Sequence, residues 1–255
     1  MKKLSITLAV YNEEKFLARC LDSVKDIADE IIIVDGKSTD KTTDIAKKYK
    51  AKIITTTNKA NFHINKKMAN DNASGEWILQ LDADEVVSPE LKKEIKETVG
   101  SNPLENGFWI PRANFFLGKF LKKGGAHPDY TLRLYRKSFG NLPAKSVHEQ
   151  AVVEGKLGFL KNNLLHYNNP TFGIYIEKRL NRYTDLMAKE VKGGFVRNVF
   201  WNPLFDSRQG FLFIYFRHLG FLDGFPGFVW ALFSALHFPI AYFKSVEKKY
   251  ARKIS

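Results

Sequence analysis

The chain has 255 residues, a net charge of +13, 44% hydrophobic residues and one cysteine. That length can bury a full core as one large domain or as a domain with an appendage. A single cysteine, Cys20, excludes an internal disulfide and a four-cysteine zinc site, and suits a reducing compartment. The charge is uneven: residues 1–100 hold 17 Lys/Arg and 17 Asp/Glu, whereas residues 101–255 hold 23 and 10. A basic second half implies an anionic partner, nucleic acid or an anionic lipid surface.

Met1-Lys2-Lys3 and the apolar run behind it read as the start of the fold rather than a signal peptide, because the run meets Asn12-Glu13-Glu14 without a cleavage-like site. Residues 4–12 (LSITLAVYN) predict a strand, and Phe16, Leu17, Cys20, Leu21 and Val24 at helical spacing predict a helix after it. EIIIVDG (30–36) is a continuous β-branched run, as expected of a strand buried on both faces. A helix after Ser38-Thr39-Asp40, a short strand at 52–57, a helix over 62–73 and a strand over 76–85 follow. Ser88-Pro89-Glu90 opens another helix with a cap residue, a first-turn proline and an early acid. This alternation predicts an α/β layer structure with a mostly parallel sheet and helices on both faces. Beyond residue 100 the rhythm changes to strands at GFWIPRANFFLG, TLRLYRK and KLGFLKNNLLHY, a helix over 173–192 and a strongly apolar stretch over 210–243.

In a parallel sheet, ligands bind at the carboxyl ends of the strands. Three predicted strands end there in polar residues: Asn12-Glu13, Asp35 and Asp82-Ala83-Asp84. In an extended chain Asp82 and Asp84 point the same way. Two such carboxylates repel unless a cation or proton lies between them. Mg²⁺ is commonly held by one or two carboxylates plus substrate phosphates, so the pattern points to a metal-bridged diphosphate; a solvated loop with capping acids is the alternative.

The order AVYNEEKFLARCLDSV, DEIIIVDGKSTDKT, NASGEWILQLDADEVVSPEL resembles family 2 nucleotide-sugar glycosyltransferases of the GT-A (Rossmann-like) fold over residues 4–100. The resemblance implies that Ala9, Tyr11 and Glu13 line a nucleotide pocket, that Asp35 contacts the base, usually uracil, that Asp82 sits near the ribose and metal, and that Asp84 holds the metal, Mg²⁺ or Mn²⁺. Many members read VDDGSTD where this chain has VDGKSTD, so Gly36 replaces the second acid. PDYTLRLYRK, AKSVHEQAVVEGKLGFLKNNLLHY and LDGFPGFVWALFSA resemble the bacterial lipopolysaccharide-core glycosyltransferases within that family. Glu149 then occupies the position of the catalytic base, with His148 orienting or lining the donor site. Arg133 and Arg136 can contact phosphate or acceptor, or form the polar face of a strand, with Arg133 favoured. His166 can reach the diphosphate or sit as a half-buried structural histidine. Lys66 and Lys67 read as a solvated helix face.

Gly224 to Phe243 contains no Asp, Glu, Lys or Arg, a length that could span a bilayer. Pro226-Gly227 and Pro239 trim the predicted clean helix to about twelve residues, a length more typical of buried or interfacial helices. Basic residues flank both sides, and Phe228, Trp230, Phe233 and Phe238 suit an interface. Peripheral attachment to the cytoplasmic face of a bacterial inner membrane is expected, ahead of core packing or a true span.

The expected organisation is a nucleotide-sugar half (1–100), an acceptor and base half of the same domain (101–170) and a membrane-associating helical region (171–255). The expected function is inverting transfer of a sugar, a hexose on this reading, from a UDP-sugar to a lipid-linked glycan. The alternatives are a basic nucleic-acid-binding protein, which leaves the strand-end acids unexplained, transfer into another surface polysaccharide, and a sugar-nucleotide-binding module without turnover.

Overall fold

The computed structural model describes residues 3–59, 61–143, 150–169 and 171–254. It divides into two compact units, residues 1–112 with 129–166, and residues 113–128 with 167–255.

The first unit begins β1 (Leu4–Val10), α1 (Leu17–Val24), β2 (Glu30–Asp35), α2 (Thr42–Lys48), β3 (Lys52–Thr55), α3 (His63–Asp71) and β4 (Trp77–Leu81). The four strands lie in the order β3-β2-β1-β4, all parallel. Their apolar residues alternate between two cores. Ile6, Leu8, Ile31, Ile33, Leu79 and Leu81 pack with Leu17, Leu21 and Val24 of α1. Ile32, Val34 and Ile78 point the other way, onto Ala69 of α3. Side chains of a strand alternate faces, so continuous apolar runs are what a sheet covered on both sides requires.

The strand predicted over 76–85 is interrupted. β4 ends at Leu81, and Asp82-Ala83-Asp84 form a tight turn in which Glu85 N donates to Asp82 O (3.0 Å) and Asp82 N donates to Glu85 Oε2 (2.9 Å). Asp82 and Asp84 are therefore not same-side neighbours on an extended strand. The chain resumes as β5 (Glu85–Val87) and enters α4 (Pro89–Gly100). Ser88 caps α4, accepting from Leu91 N at 3.1 Å. Ser88→Ala is expected to lower stability by about 1 kcal/mol, read as a shifted denaturant midpoint.

Next come β6 (Gly107–Phe116), β7 (Lys119–Phe120) and β8 (Asp129–Arg136), and β8, beside β4, makes the sheet mixed. β8 pairs antiparallel with both β4 and β6. β9 (Gly140–Asn141) and β10 (Val152–Val153) form a small ribbon; β11 (Leu157–Phe159) and β12 (Leu164–Asn169) follow. β12 runs antiparallel to β5, with His166 opposite Glu85.

The second unit is largely helical: α5 (Phe172–Ile174), wide π-helical turns at Tyr175–Asn181, α6 (Arg182–Met187), more π-helical turns at Arg197–Trp201, α7 (Asn202–Phe205) and α8 (Gly224–Ile254). Its core joins Phe116, Leu121, Tyr175, Ile214, Val229 and Trp230. α8 is one helix of 31 residues with Pro239 inside it, so the expected trimming to about twelve residues does not occur. Pro226 falls in the first turn, where its missing N–H costs nothing. Buried Ala235, His237 and Ala241 fix the helix on either side of Pro239.

Candidate active site

The carboxyl ends of β1, β2 and β4 meet at one edge of the sheet. Val10 is opposite Asp35, and Leu8 is opposite Leu81. The order β3-β2-β1-β4 reverses direction between β1 and β4, the switch point where open α/β sheets bind ligands.

The loops after β1 and β2 are laced together. Asn12, at φ 55°, accepts from Thr39 N (2.8 Å) through Oδ1, and its own N–H donates to Ser38 Oγ (2.9 Å). Glu13 N donates to Thr42 Oγ1 (2.7 Å) and Glu14 N to Asp40 Oδ2 (3.1 Å). Among the expected donor residues Ala9 and Glu13 are half-buried and Tyr11 is exposed. Asp35 is 2% exposed, with Ser38 N donating to its two oxygens at 3.3 and 3.2 Å. A side chain at Gly36 would bring a Cβ to 3.1 Å from Asn58 Cα, a close approach that favours glycine there.

Asp82 and Asp84 leave the β4 turn in different directions. Asp82 receives the Lys66 ammonium on Oδ1 and the Arg133 guanidinium on Oδ2 (2.6 Å). The same Arg133 nitrogen reaches Glu85 Oε1 at 2.8 Å; Arg112 lies 3.5 Å from that oxygen and 2.7 Å from Asp129. Three cations and three carboxylates thus form one chain, with Glu85 fully buried and Lys66 6% exposed. Burial pushes the Asp82 carboxyl up, but the facing Arg133 and Lys66 outweigh it and hold it well below the usual aspartate range. Burial pulls the Lys66 ammonium down, with Asp82 opposing.

The solvated face expected for Lys66 and Lys67 holds only for Lys67, which is half-exposed on Asp71. Lys66 points inward to satisfy Asp82, a demand that arises from β4 and leaves no mark on the helix's own pattern. Glu85, Arg112 and Gln150 were given no role from the sequence. For Glu85 the available signal was a carboxylate in a strand-spaced position two residues before buried Val87. Arg133 lies within the cluster. Arg136 lies at the far end of β8, over the Trp77 ring and paired with Glu76.

Asp84 is partly open and faces His166, whose Nε2 lies 3.6 Å from Oδ2. Among the described residues no group of three or more His, Cys, Asp or Glu side chains gathers as a ready metal cage. Asp84 and His166 present one hard oxygen and one imidazole nitrogen, a pair suited to Mn²⁺, with the remaining positions open to phosphate oxygens and water. The residues therefore fit a divalent ion held jointly with a diphosphate.

Beside the cluster lies a cavity of about 220 Å³ lined by His63, Lys66, Asp82, Arg112, Arg133 and Gln150, among others. Gln150 Oε1 accepts from Leu132 N at 3.0 Å. His148 and Glu149 lie outside the described residues.

Residues 5–146 match the family model for glycosyl transferase family 2. The chain belongs to that family. The glycosyltransferase is 32% identical to an uncharacterized glycosyltransferase of Rickettsia typhi over 243 residues, covering 90% of this chain and 82% of the relative. It is 28% identical to the lipopolysaccharide core biosynthesis glycosyltransferase LpsC of Rhizobium meliloti over 244 residues, covering 92% and 88%. Among solved structures it resembles S. aureus TarS, with TM-score 0.51 at 18% identity, over 88% of this chain and 46% of that one. A TarS fragment, residues 1–349 with UDP-GlcNAc, gives TM-score 0.50 at 17% identity, covering 98% and 92%. These structural likenesses agree with the GT-A fold expected from the sequence.

Proposed function

We propose that the enzyme transfers a sugar from a UDP-sugar to a lipid-linked saccharide, such as a lipopolysaccharide core, by a single inverting displacement. The observation that carries the reading is the Asp84–His166 pair, 3.6 Å apart at the carboxyl edge of the sheet beside the β1/β4 switch point, with Asp84 partly exposed. TarS, a fold neighbour, was crystallised with UDP-GlcNAc, and LpsC is named for lipopolysaccharide core biosynthesis; both favour this donor and acceptor.

In this reading Ala9, Tyr11 and Glu13 flank the nucleotide, and Asp35 shapes the base pocket by holding the Ser38 turn. Asp84 and His166 would hold Mg²⁺ or Mn²⁺, which when bound stabilises charge on the departing diphosphate. Asp82 carries its two cations instead, so the share of metal binding assigned to it by resemblance passes to His166. Lys66 and Arg133, held by Asp82 and Glu85, line the cavity, which has room for about one sugar ring. The acceptor hydroxyl must lose a proton as it attacks the anomeric carbon. Glu149, assigned as that base, directly follows His148 and precedes Gln150, which lines the cavity.

The test is a panel of nucleotide sugars with Mn²⁺ or Mg²⁺, scored by nucleoside diphosphate release with and without a lipopolysaccharide-type acceptor. Acceptor-stimulated UDP release is the expected result, and none with any UDP-sugar would refute the reading. Glu149→Gln is expected to keep UDP affinity and to lose about 10²-fold in turnover, as measured by steady-state rates beside calorimetric UDP binding. Unchanged turnover would place the base elsewhere.

A further inference from the structure

α8 is long and apolar enough to cross a bilayer by length and composition, yet half of its apolar window is buried within the protein. The buried half is one face. Trp230, Ala231, Ser234, His237 and Ala241 are each under 9% exposed, and Trp230 donates to Gly124 O at 3.3 Å. Spanning as a lone helix would strip this face from Phe116, Tyr175 and Ile214 and carry Ser234 and His237 into hydrocarbon.

The opposite face is apolar as well. At 3.6 residues per turn, Phe225, Phe228, Leu232, Leu236, Phe243 and Tyr250 fall in a stripe about 80° wide and about 38 Å long. Phe225 is 73% exposed, Phe243 52% and Tyr250 64%. Ring contacts continue the stripe sideways: Phe243 meets Tyr242, Tyr242 meets Phe195, and Phe195 meets Phe200. Exposed Val196 and Trp201 lie on the same short segment as Phe195 and Phe200. A helix apolar on every side has either a protein core or lipid around it, and here the protein covers one side.

Charge identifies what covers the other. The second unit holds sixteen Lys/Arg and six Asp/Glu, so it carries most of the net +13. Exposed Lys192, Arg197, Arg208, Arg217 and Lys248 are interspersed along the segments that bear the exposed aromatics. Aromatic and aliphatic side chains among cations match the boundary of an anionic bilayer, where basic side chains meet headgroups and rings enter the acyl region.

We propose that the outer stripe of α8, together with the Phe195–Trp201 segment, is a docking surface for an anionic phospholipid bilayer, and that α8 lies along the membrane plane. The inference rests on the reading of the acceptor as lipid-linked, because it names the surface on which that acceptor is met. The test uses the full chain in flotation with vesicles of phosphatidylethanolamine and phosphatidylglycerol, against phosphatidylcholine alone. The wild type is expected to float with the anionic vesicles and to detach at high salt. Phe225→Ser combined with Phe243→Ser, and separately Val196→Asp, are expected to weaken binding at least about tenfold. Their melting temperature and their UDP release on a delipidated, water-soluble saccharide should stay unchanged. Any of these outcomes would overturn the proposal: a wild type that ignores anionic vesicles, variants that float like it, or a stable dimer that those substitutions dissolve. Retention in membranes through an alkaline carbonate wash would also overturn it, by showing a span. If flotation behaves as expected while no UDP-sugar is consumed, the functional reading fails and the docking surface stands.

Discussion

Replacing Asp84 with Asn is expected to reduce sugar transfer by about 10²–10³-fold while moving stability by no more than about 0.5 kcal/mol. The amide keeps the carboxylate's shape but gives up its charge, and a hard divalent ion depends on that charge. Asp84 lies outside the Lys66–Asp82–Arg133–Glu85 chain, so the fold has little stake in it. Calorimetry isolates the effect: Mn²⁺ should tighten UDP binding to the wild type and leave the variant's affinity unchanged. His166→Ala should act in the same direction. A variant that transfers at the wild-type rate, or whose UDP affinity still answers to Mn²⁺, would remove Asp84 from the metal site.

Arg133→Met acts on the other half of the motif and is expected to cost about 3–5 kcal/mol, because removing one partner of a buried ion pair strands the other. Among the described residues, fully buried Glu85 would keep only Arg112, at 3.5 Å, as an ion-pair partner. Asp82 would keep Lys66. Denaturant unfolding measures the loss. The pH dependence has a definite sign. A carboxyl held below its unfolded pKa contributes stability that is full above that unfolded value and is lost as the pH falls through the folded one. Arg133 is a large part of what holds Asp82 down, so the variant should begin acid unfolding at a higher pH than the wild type. Equal midpoints and equal acid profiles would show that the guanidinium is not needed to keep Glu85 and Asp82 in place.

The parallel half of the fold was legible because both of its faces are buried: the β-branched runs at 4–10 and 30–35 can satisfy a two-sided sheet and little else. The direction of the acids was not. An alternating Asp-Ala-Asp after Leu81 reads as more strand, and only the return hydrogen bond from Glu85 turns it. Lys66 was misread for a related reason, since helical spacing shows which residues share a face and says nothing of a charged neighbour buried beneath them. The long α8 was misjudged at Pro239 because local propensity yields when buried residues on both sides hold the helix in line. His166 was noticed, but its partner became visible only with the pairing of β5 and β12.

That pairing makes the reach of His166 to Asp84 a matter of arithmetic. His166 faces Glu85 because Leu164 faces Val87, and neighbouring side chains on a strand point to opposite sides. Deleting one residue from the Asn162-Asn163 turn would offer Tyr167 where the imidazole now stands and turn His166 to the other face, with both side chains still in the sequence. Homologues that keep both residues but differ in the length of that turn would thus be candidates for having lost the Asp84–His166 pairing, a defect that counting motifs cannot detect.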